Sequence, residues 1–307
     1  MAYSDYDILS ELEPKAEEYL NRHLRTAKEW FPHEYVPWRQ GRDFDIEPWT
    51  PDQPSVSQTA QTALEVNLLT EDNLPGYHRA VFRLFGGDGA WQTWANRWTA
   101  EEGRHSIVLR DYLTVTRNVD PVQLERGRMQ QNEQGYDSDA DTALDGMAYV
   151  SFQELATRIS HRNTGRYTGE PVCDRILRRI SADENLHMIF YRDVLNAAFE
   201  IAPSDATRAV ARQVIDFEMP GAGIPGFIRK AFTIAQAGIY DLRNHHDEVV
   251  WPLLRHLRVF EATGLDPEAE KAREELGAFL ERLDATATRY EDKRAQRHAR
   301  TAERAAG

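Results

Sequence analysis

Apolar residues recur along most of this chain at intervals of three and four, which is the period of α-helices that bury one face. Runs that alternate apolar and polar residues between turn signals, as half-buried strands do, are hard to find. We therefore expect an all-α fold. The periodicity predicts helices at residues 7–29, 57–77, 89–115, 140–163, 171–200, 204–217, 227–237 and 247–261, and a last helix from 267 into a charged tail.

Two segments break the helical pattern. Residues 30–55 are rich in Pro, Gly, Asp and Trp and are predicted to form an irregular stretch that packs on the core, while residues 219–226 contain three Gly and two Pro. Pro75 lacks the amide hydrogen that would bond the carbonyl of Glu71, so the helix should kink or end there. We expect a single domain at residues 1–265, followed at 266–307 by a C-terminal helix and a charged, frayed tail.

Composition excludes several classes of protein. No apolar stretch approaches the roughly 20 residues that a membrane helix needs, and no signal segment is visible, so we expect a soluble cytoplasmic protein without membrane insertion. The single cysteine, Cys173, excludes an internal disulfide framework, a four-cysteine zinc site and a cysteine-held iron–sulfur cluster. The formal net charge of −13 argues against nucleic acid as the main partner.

The sequence contains two Glu-x-x-His motifs, each inside a predicted helix: Glu102 with His105, and Glu184 with His187. A spacing of three places both side chains of a motif on one helical face, where they can share a metal ion. One such motif is weak evidence by itself. Two such motifs on separate predicted helices are more specific evidence for a shared metal site.

A glutamate precedes each motif at nearly the same distance: Glu71 lies 31 residues before the first motif, and Glu154 lies 30 residues before the second. This approximate repeat is the ligand set of a ferritin-like di-iron or di-manganese bundle with four helices at its core. Carboxylates with imidazole suit iron or manganese, and four carboxylates neutralise two divalent ions. With one histidine per metal, coordination positions should stay open for O₂ or a peroxide.

The alternative interpretation is that these residues lie on solvated helix surfaces. The flanking sequence opposes it, because Leu64 and Leu68 precede Glu71 at helical steps and Met188 follows His187. A carboxylate buried in such surroundings without a metal or a partner would cost several kcal/mol or stay protonated. We therefore predict the metal ligands Glu71, Glu102, His105, Glu154, Glu184 and His187.

Around these residues the sequence resembles the soluble acyl-[acyl-carrier-protein] desaturases, which include the plant stearoyl-carrier-protein desaturases, and it is most similar to their actinobacterial branch. The resemblance runs from residue 10 to residue 260, approximately. The strings that carry it are TEDNLP at 70–75, RWTAEEGRH at 97–105, SFQELAT at 151–157 with ISH at 159–161, and ADENLH at 182–187. By position, the family's metal ligands fall on the six residues already named.

The resemblance implies further roles. Thr157 matches a threonine beside the dioxygen-binding face of the family's cluster, and at three residues from Glu154 it could donate a proton there. Alternatively, its hydroxyl bonds to a carbonyl in the preceding turn of its own helix. Trp98 and Asp183 match positions that orient the ligands and conduct electrons. Trp30 resembles a tryptophan at the family's N-terminal corner, although any tryptophan could simply fill the core.

Two positions depart from the family pattern. Gly103 stands where the family usually has Asn. A glycine inside a helix costs about 1 kcal/mol of stability relative to Ala, and here it would allow a close backbone approach near the cluster. The pair Glu71-Asp72 stands where plant enzymes have two glutamates. We choose Glu71 as the ligand, because it shares a helical face with Leu64 and Leu68.

The resemblance implies an enzyme of fatty acid biosynthesis. It would use two iron ions and O₂ to place a cis double bond in a saturated acyl chain on acyl carrier protein, and it would take electrons from ferredoxin or a similar donor. Family members are homodimers. A ferritin-like iron-binding or iron-oxidising protein, a ribonucleotide-reductase-like radical subunit and a degraded desaturase that only binds carrier protein remain open.

Acyl carrier protein is acidic, and so is this chain overall, so docking requires a local basic surface. The candidate residues for it are Arg175, Arg178, Arg179, Arg229 and Lys230.

Overall fold

In the computed structural model, residues 4–306 are described, except for residues 87, 139 and 222. These residues form helices and no strand, which confirms the all-α prediction. The α-helices are α1 (Asp5–Thr26), α2 (Gln58–Glu71), α3 (Leu74–Phe85), α4 (Gly89–Val115), α5 (Pro121–Gln134), α6 (Ala143–Thr168), α7 (Pro171–Ile201), α8 (Pro203–Ile215), α9 (Phe227–Gln236), α10 (Leu242–Asn244), α11 (Trp251–Leu257) and α12 (Pro267–Ala306). A π-helical turn, His245–Val250, joins α10 to α11.

Four of these helices form the bundle that holds the site. Helix α2 packs against α4 and α6, and α7 packs against the same two helices, so α2, α4, α6 and α7 close a ring. Helix α1 lies across α4 and α7, and α3 lies across α4 and α6. Helices α8 and α12 pack together outside α6. Among the described residues, no helix has both the length and the apolar character needed to cross a bilayer.

The predicted helix at 57–77 is two helices in the structure. Helix α2 ends at Glu71, and Pro75 lies in the first turn of α3, where its missing amide hydrogen costs nothing. The break expected at Pro75 is therefore confirmed. The hydroxyl of Tyr77 donates to the carbonyl of Thr70 at 2.9 Å and satisfies one of the acceptors left free where α2 ends.

The irregular stretch after α1 is held against the C-terminal end of α4. Buried Arg117 donates to the side chain of Gln53 at 2.9 Å, and its carbonyl accepts the indole N–H of Trp49 at 3.1 Å. The side-chain oxygen of Asn118 accepts the backbone N–H of Ser55 at 2.8 Å. Side chains thus supply the hydrogen bonds that this backbone lacks from regular structure.

Candidate metal centre

The six residues predicted as ligands meet inside the bundle. Each is at most 6% exposed. The chain positions them from four directions: α2 ends at Glu71, α4 carries Glu102 and His105, α6 carries Glu154, and α7 carries Glu184 and His187.

The ligand atoms form two overlapping groups, within each of which all atoms lie less than 4.8 Å apart. One group contains Glu71 and His105, and the other contains Glu154 and His187. Glu102 and Glu184 belong to both. The pseudo-repeat of the sequence therefore appears in space as two half-sites that share two carboxylates.

The carboxylates of the cluster lie close together, and their negative charge raises the pKa values of neighbouring side chains. Burial would lower the pKa of His187, but Glu101 and Glu102 outweigh burial and raise that pKa well above its usual range. His105 behaves alike, with Glu102 and Asp183 raising its pKa. Burial, together with the negative charges of Glu102 and Glu154, raises the pKa of Glu184 well above its usual range. All three shifts share one cause, an excess of negative charge that bound cations could balance.

Several polar atoms of the cluster have no hydrogen-bond partner although they are buried: Glu102 Oε1, Glu154 Oε2 and His187 Nδ1. His187 Nδ1 lies 2.7 Å from Glu102 Oε1 without the geometry of a hydrogen bond. Native proteins rarely leave buried polar atoms unsatisfied, and coordination of an ion is one way in which such atoms gain a partner. The donor set of carboxylates and imidazoles could hold divalent metal ions.

The outer nitrogen of each cluster histidine faces a second carboxylate, and the pairing crosses between the two motifs. His105 Nε2 lies 3.5 Å from Asp183, the residue before Glu184. His187 Nε2 lies 3.0 Å from Glu101, the residue before Glu102. Such partners fix the orientation and the tautomer of a metal-binding imidazole.

Asp183 is held by several donors. Its Oδ2 accepts the indole N–H of Trp30 at 2.7 Å and a guanidinium N–H of Arg104 at 3.1 Å, while Arg179 donates to Oδ1. Burial would raise the pKa of Asp183, but His105 and Arg179 hold it well below its usual range. Asp183 therefore lies where an orienting residue would, and Arg179 is committed to Asp183 rather than to the surface.

Sequence reasoning missed Glu101 and its partner His23. Glu101 accepts from His23 Nε2 at 2.8 Å and pairs with Arg97 at 2.5 Å. Burial would raise its pKa, but His187 and His23 hold it well below the usual range. One signal was available for Glu101, because both motifs are preceded by an acidic residue, Glu101 in one and Asp183 in the other.

Two other contacts hold the remaining carboxylates. The indole N–H of Trp98 donates to Glu154 Oε1 at 2.9 Å, which is the position expected of an orienting residue. His161 Nε2 lies 2.6 Å from Glu71 Oε1. His161 was within a string that carried the resemblance, but no role was predicted for it.

The two departures from the family pattern have different outcomes. Asp72 turns away from the cluster and pairs with Arg128 of α5 at 2.9 Å through both carboxylate oxygens, whereas Glu71 faces the cluster. The close approach expected at Gly103 is absent among the described residues: a Cβ there would meet only Leu74 Cδ2, at 3.8 Å, which is an ordinary contact.

Thr157 is buried one turn after Glu154. Its hydroxyl donates back to the carbonyls of Gln153 at 3.1 Å and Glu154 at 3.0 Å, which is the alternative that the sequence left open. Its side chain also lines a cavity beside Glu71. A hydroxyl that bonds only to its own helix can turn about χ1, so the contact is compatible with a second role.

Two largely apolar cavities border the cluster, and both are lined by Thr70 and Glu71. The first lies among α3, α4 and α6 and reaches Glu102 and Glu154. The second lies between α2, α6 and α9 and reaches Thr157 and His161. Together they bring apolar space to both sides of Glu71.

The fold and this cluster define a class of protein. A family model described as fatty acid desaturase matches residues 4–306. The chain therefore belongs to the fatty acid desaturase family, and it is an enzyme of that family.

Particular relatives agree with this assignment. The "Putative acyl-[acyl-carrier-protein] desaturase DesA1" of Mycobacterium tuberculosis is 49% identical over 313 residues, covering 97% of this chain and 92% of DesA1. The "Stearoyl-[acyl-carrier-protein] 9-desaturase 6, chloroplastic" of Arabidopsis thaliana is 31% identical over 254 residues, covering 77% of this chain and 65% of that protein.

A solved structure has the same fold. It is titled "X-ray structure of putative acyl-ACP desaturase DesA2 from Mycobacterium tuberculosis H37Rv", and it matches with a TM-score of 0.70 and 28% identity, covering 86% of this chain and 98% of that chain. The resemblance and the ferritin-like helical fold expected from the sequence are both confirmed.

Proposed function

We propose that this enzyme uses iron and O₂ to introduce a cis double bond into a saturated acyl chain carried on acyl carrier protein. The observation that supports this proposal is the pair of overlapping Glu/His groups in a chain whose relatives are named acyl-[acyl-carrier-protein] desaturases. Reducing equivalents would come from ferredoxin or a similar donor. We further propose that the enzyme is a homodimer and acts in the cytoplasm.

Each half-site would hold one iron ion. Glu71 and His105 would bind the first ion and Glu154 and His187 the second, while Glu102 and Glu184, which belong to both groups, would contribute to both sites. The two ions would supply the activation of O₂ that removal of hydrogen from an unactivated carbon requires. Asp183, Glu101 and Trp98 would orient the ligands, and Thr157 would donate a proton beside the cluster.

The two cavities would hold the acyl chain. Tyr77, Ala80 and Val81 line the first cavity from α3, and Phe227 and Ala231 line the second from α9. An acyl chain that occupied both would pass the cluster near Glu71, so the carbon that reacts would be set by position in the channel.

Charge favours one direction for that chain. Outside the second cavity, α9 exposes Arg229 and Ile228, and Arg297 of α12 lies over the ring of Phe232. A surface cleft that shares residues with the first cavity is instead mainly acidic. It is lined by Asp137, Asp141, Asp145, Asp216 and Glu218, and its one lining cation among the described residues, Arg212, pairs with Asp145 at 2.7 Å. Acidic acyl carrier protein would therefore dock at α9 and place the methyl end in the first cavity.

The other candidate docking residues are less suited to this role. Lys230 pairs with Glu65 at 2.7 Å, and Arg175 donates to the carbonyl of Tyr35 at 3.2 Å. Arg178 is exposed on α7. It was predicted for the carrier-protein surface, but it lies on the helix that also carries Asp183, so we propose it instead for docking the electron donor.

Mass spectrometry of the acyl product tests the proposed reaction. Iron-reconstituted protein, reduced ferredoxin, O₂ and saturated acyl carrier protein should give a product that lacks two hydrogens, and Glu184→Ala should abolish it. Unchanged acyl mass in the iron-loaded wild type would contradict the proposal. Mineral growth without substrate oxidation would indicate iron storage, and a stable tyrosyl radical would indicate a radical subunit.

A pair of variants tests the direction of the chain. Ala80→Phe narrows the first cavity and should reject long acyl chains while short ones are still converted. Ala231→Phe narrows the second cavity and should slow the conversion of acyl chains of every length to the same extent. The opposite pattern would place the thioester end in the first cavity.

A further inference from the structure

Helix α1 lies outside the four-helix core, yet one of its side chains is part of the wall of the metal centre. His23 is 4% exposed, and its ring lies 5.8 Å from the ring of His187, centroid to centroid, in a stacked arrangement. Trp94 contacts both of these rings edge-on, at 5.0 Å from His23 and 6.1 Å from His187. His23 is thus fixed in position by packing.

His23 is connected to the cluster through one carboxylate oxygen. Glu101 Oε2 lies 2.8 Å from His23 Nε2 and 3.0 Å from His187 Nε2. An ionised carboxylate can only accept, so both imidazoles donate to it. With its Nε2 hydrogen committed to Glu101, His187 turns Nδ1, the atom that would bind an ion, towards Glu102 and Glu154.

The two half-sites differ in how this outer carboxylate is held. Asp183, beside His105, accepts from the indole of Trp30 and from two guanidinium groups. Glu101, beside His187, pairs with Arg97, whose side chain is 39% exposed, and lies 3.7 Å from Arg104. Apart from His187 itself, His23 is the buried donor that Glu101 has from outside α4 among the described residues, and solvent screens such a buried contact only weakly.

We infer that His23 is a positioning residue for one half of the metal centre: it fixes Glu101, which in turn orients His187 for the ion that Glu154 also binds. This inference rests on the metal centre proposed above. It makes α1 a functional part of the site, and it predicts that loss of the His23 contact affects one ion and leaves the other in place.

Two amide variants test the inference. The amide nitrogen of Gln reaches about as far from the backbone as the imidazole Nε2, whereas that of Asn reaches only as far as Nδ1. His23→Gln therefore keeps a donor for Glu101, and His23→Asn lacks it, although both bury a polar amide. Thr26→Ala, on the same helix and without a contact to Glu101, is the matched control.

The measurement is an anaerobic Co²⁺ titration followed by visible absorption, with the bound metal counted per chain. Wild type, His23→Gln and Thr26→Ala should bind two ions. His23→Asn should bind one ion as the wild type does and the other about 10- to 100-fold more weakly, the typical loss when an outer partner of a ligand is removed. By proton NMR, the Co²⁺ form should show two exchangeable imidazole N–H resonances. One of them should exchange with solvent faster in His23→Asn than in the wild type.

Two ions bound by His23→Asn with wild-type affinity would overturn the inference. Equal impairment of both amide variants would also overturn it, because ring packing rather than the hydrogen bond would then matter. A wild type that binds no Co²⁺ would overturn the proposed metal centre and this inference together. If the wild type binds two ions but His23→Asn behaves in either of these first two ways, the inference fails and the proposed metal centre stands.

Discussion

Replacement of Glu184 by Gln should have opposite effects on the metal-free and the metal-loaded protein. Glu184 is 1% exposed, and burial together with the neighbouring carboxylates raises its pKa, so its charged form is disfavoured. Gln has the size of the protonated acid and carries no charge. In the metal-free protein, Glu184→Gln should therefore leave the free energy of unfolding unchanged or raise it.

In the metal-loaded protein, Glu184→Gln should instead lower the free energy of unfolding, and the size of this effect follows from the number of half-sites. A ligand at 100 times its dissociation constant stabilises a protein by about 2.7 kcal/mol, so two ions contribute roughly 5 kcal/mol. At about 2–4 °C per kcal/mol, Co²⁺ should raise the Tm of the wild type by roughly 10–20 °C. Glu184 belongs to both groups and Glu71 to one. Glu184→Gln should lose most of that shift, and Glu71→Gln about half.

Thermal unfolding followed by circular dichroism, with EDTA and then with Co²⁺, measures both signs in one series. Glu17→Gln, on the exposed face of α1, controls for loss of a carboxylate elsewhere. Two results would refute the reasoning. One is a metal-free Glu184→Gln protein that unfolds well below the wild type, and the other is a Co²⁺ shift that Glu184→Gln leaves intact.

Three further predictions concern single side chains. Gly103→Ala should stabilise the protein by about 0.5–1 kcal/mol in urea unfolding, because a Cβ fits there, whereas Gly76→Ala should destabilise it, because its Cβ would lie 2.9 Å from the backbone nitrogen of Tyr136; equal effects would contradict this. Thr157→Val should slow turnover with little change in Tm while Thr157→Ser keeps the rate, and an unaffected Val variant would restrict the hydroxyl to its helix contacts. Burial lowers the pKa of His245 to about 4, and its Nδ1 can accept from Tyr240 only when neutral, so its contribution to stability is present above pH 6.5 and is lost towards pH 4. His245→Gln should reduce that loss by up to about 3 kcal/mol in stability-versus-pH curves, and identical curves would refute it.

The long bundle helices could be predicted from the sequence because each buries a continuous face. Helix α5 could not, since only Leu124 and Gln131 are buried along its length and it has no apolar stripe to detect. The segment beyond Tyr77 was also left unassigned, although α3 continues to Phe85. The π-helical turn at His245–Val250 has no periodic signature that distinguishes it from an α-helix.

The candidate ligands could be predicted for a different reason. Their spacing repeats along the chain, so Glu71 and Glu154 followed from the two motifs. The contact between His23 and Glu101 spans 78 residues and involves one histidine without a motif, so only the packing of α1 reveals it. The crossed pairing of Asp183 with His105 is likewise a property of how α4 and α7 meet in space.

The most direct test of the metal centre is diffraction from iron-loaded crystals, with anomalous differences collected at the iron edge. The account predicts two anomalous peaks within the cluster, one beside Glu71 and His105 and the other beside Glu154 and His187. An iron-saturated crystal with no peak among these residues, or with its only peak elsewhere, would contradict it.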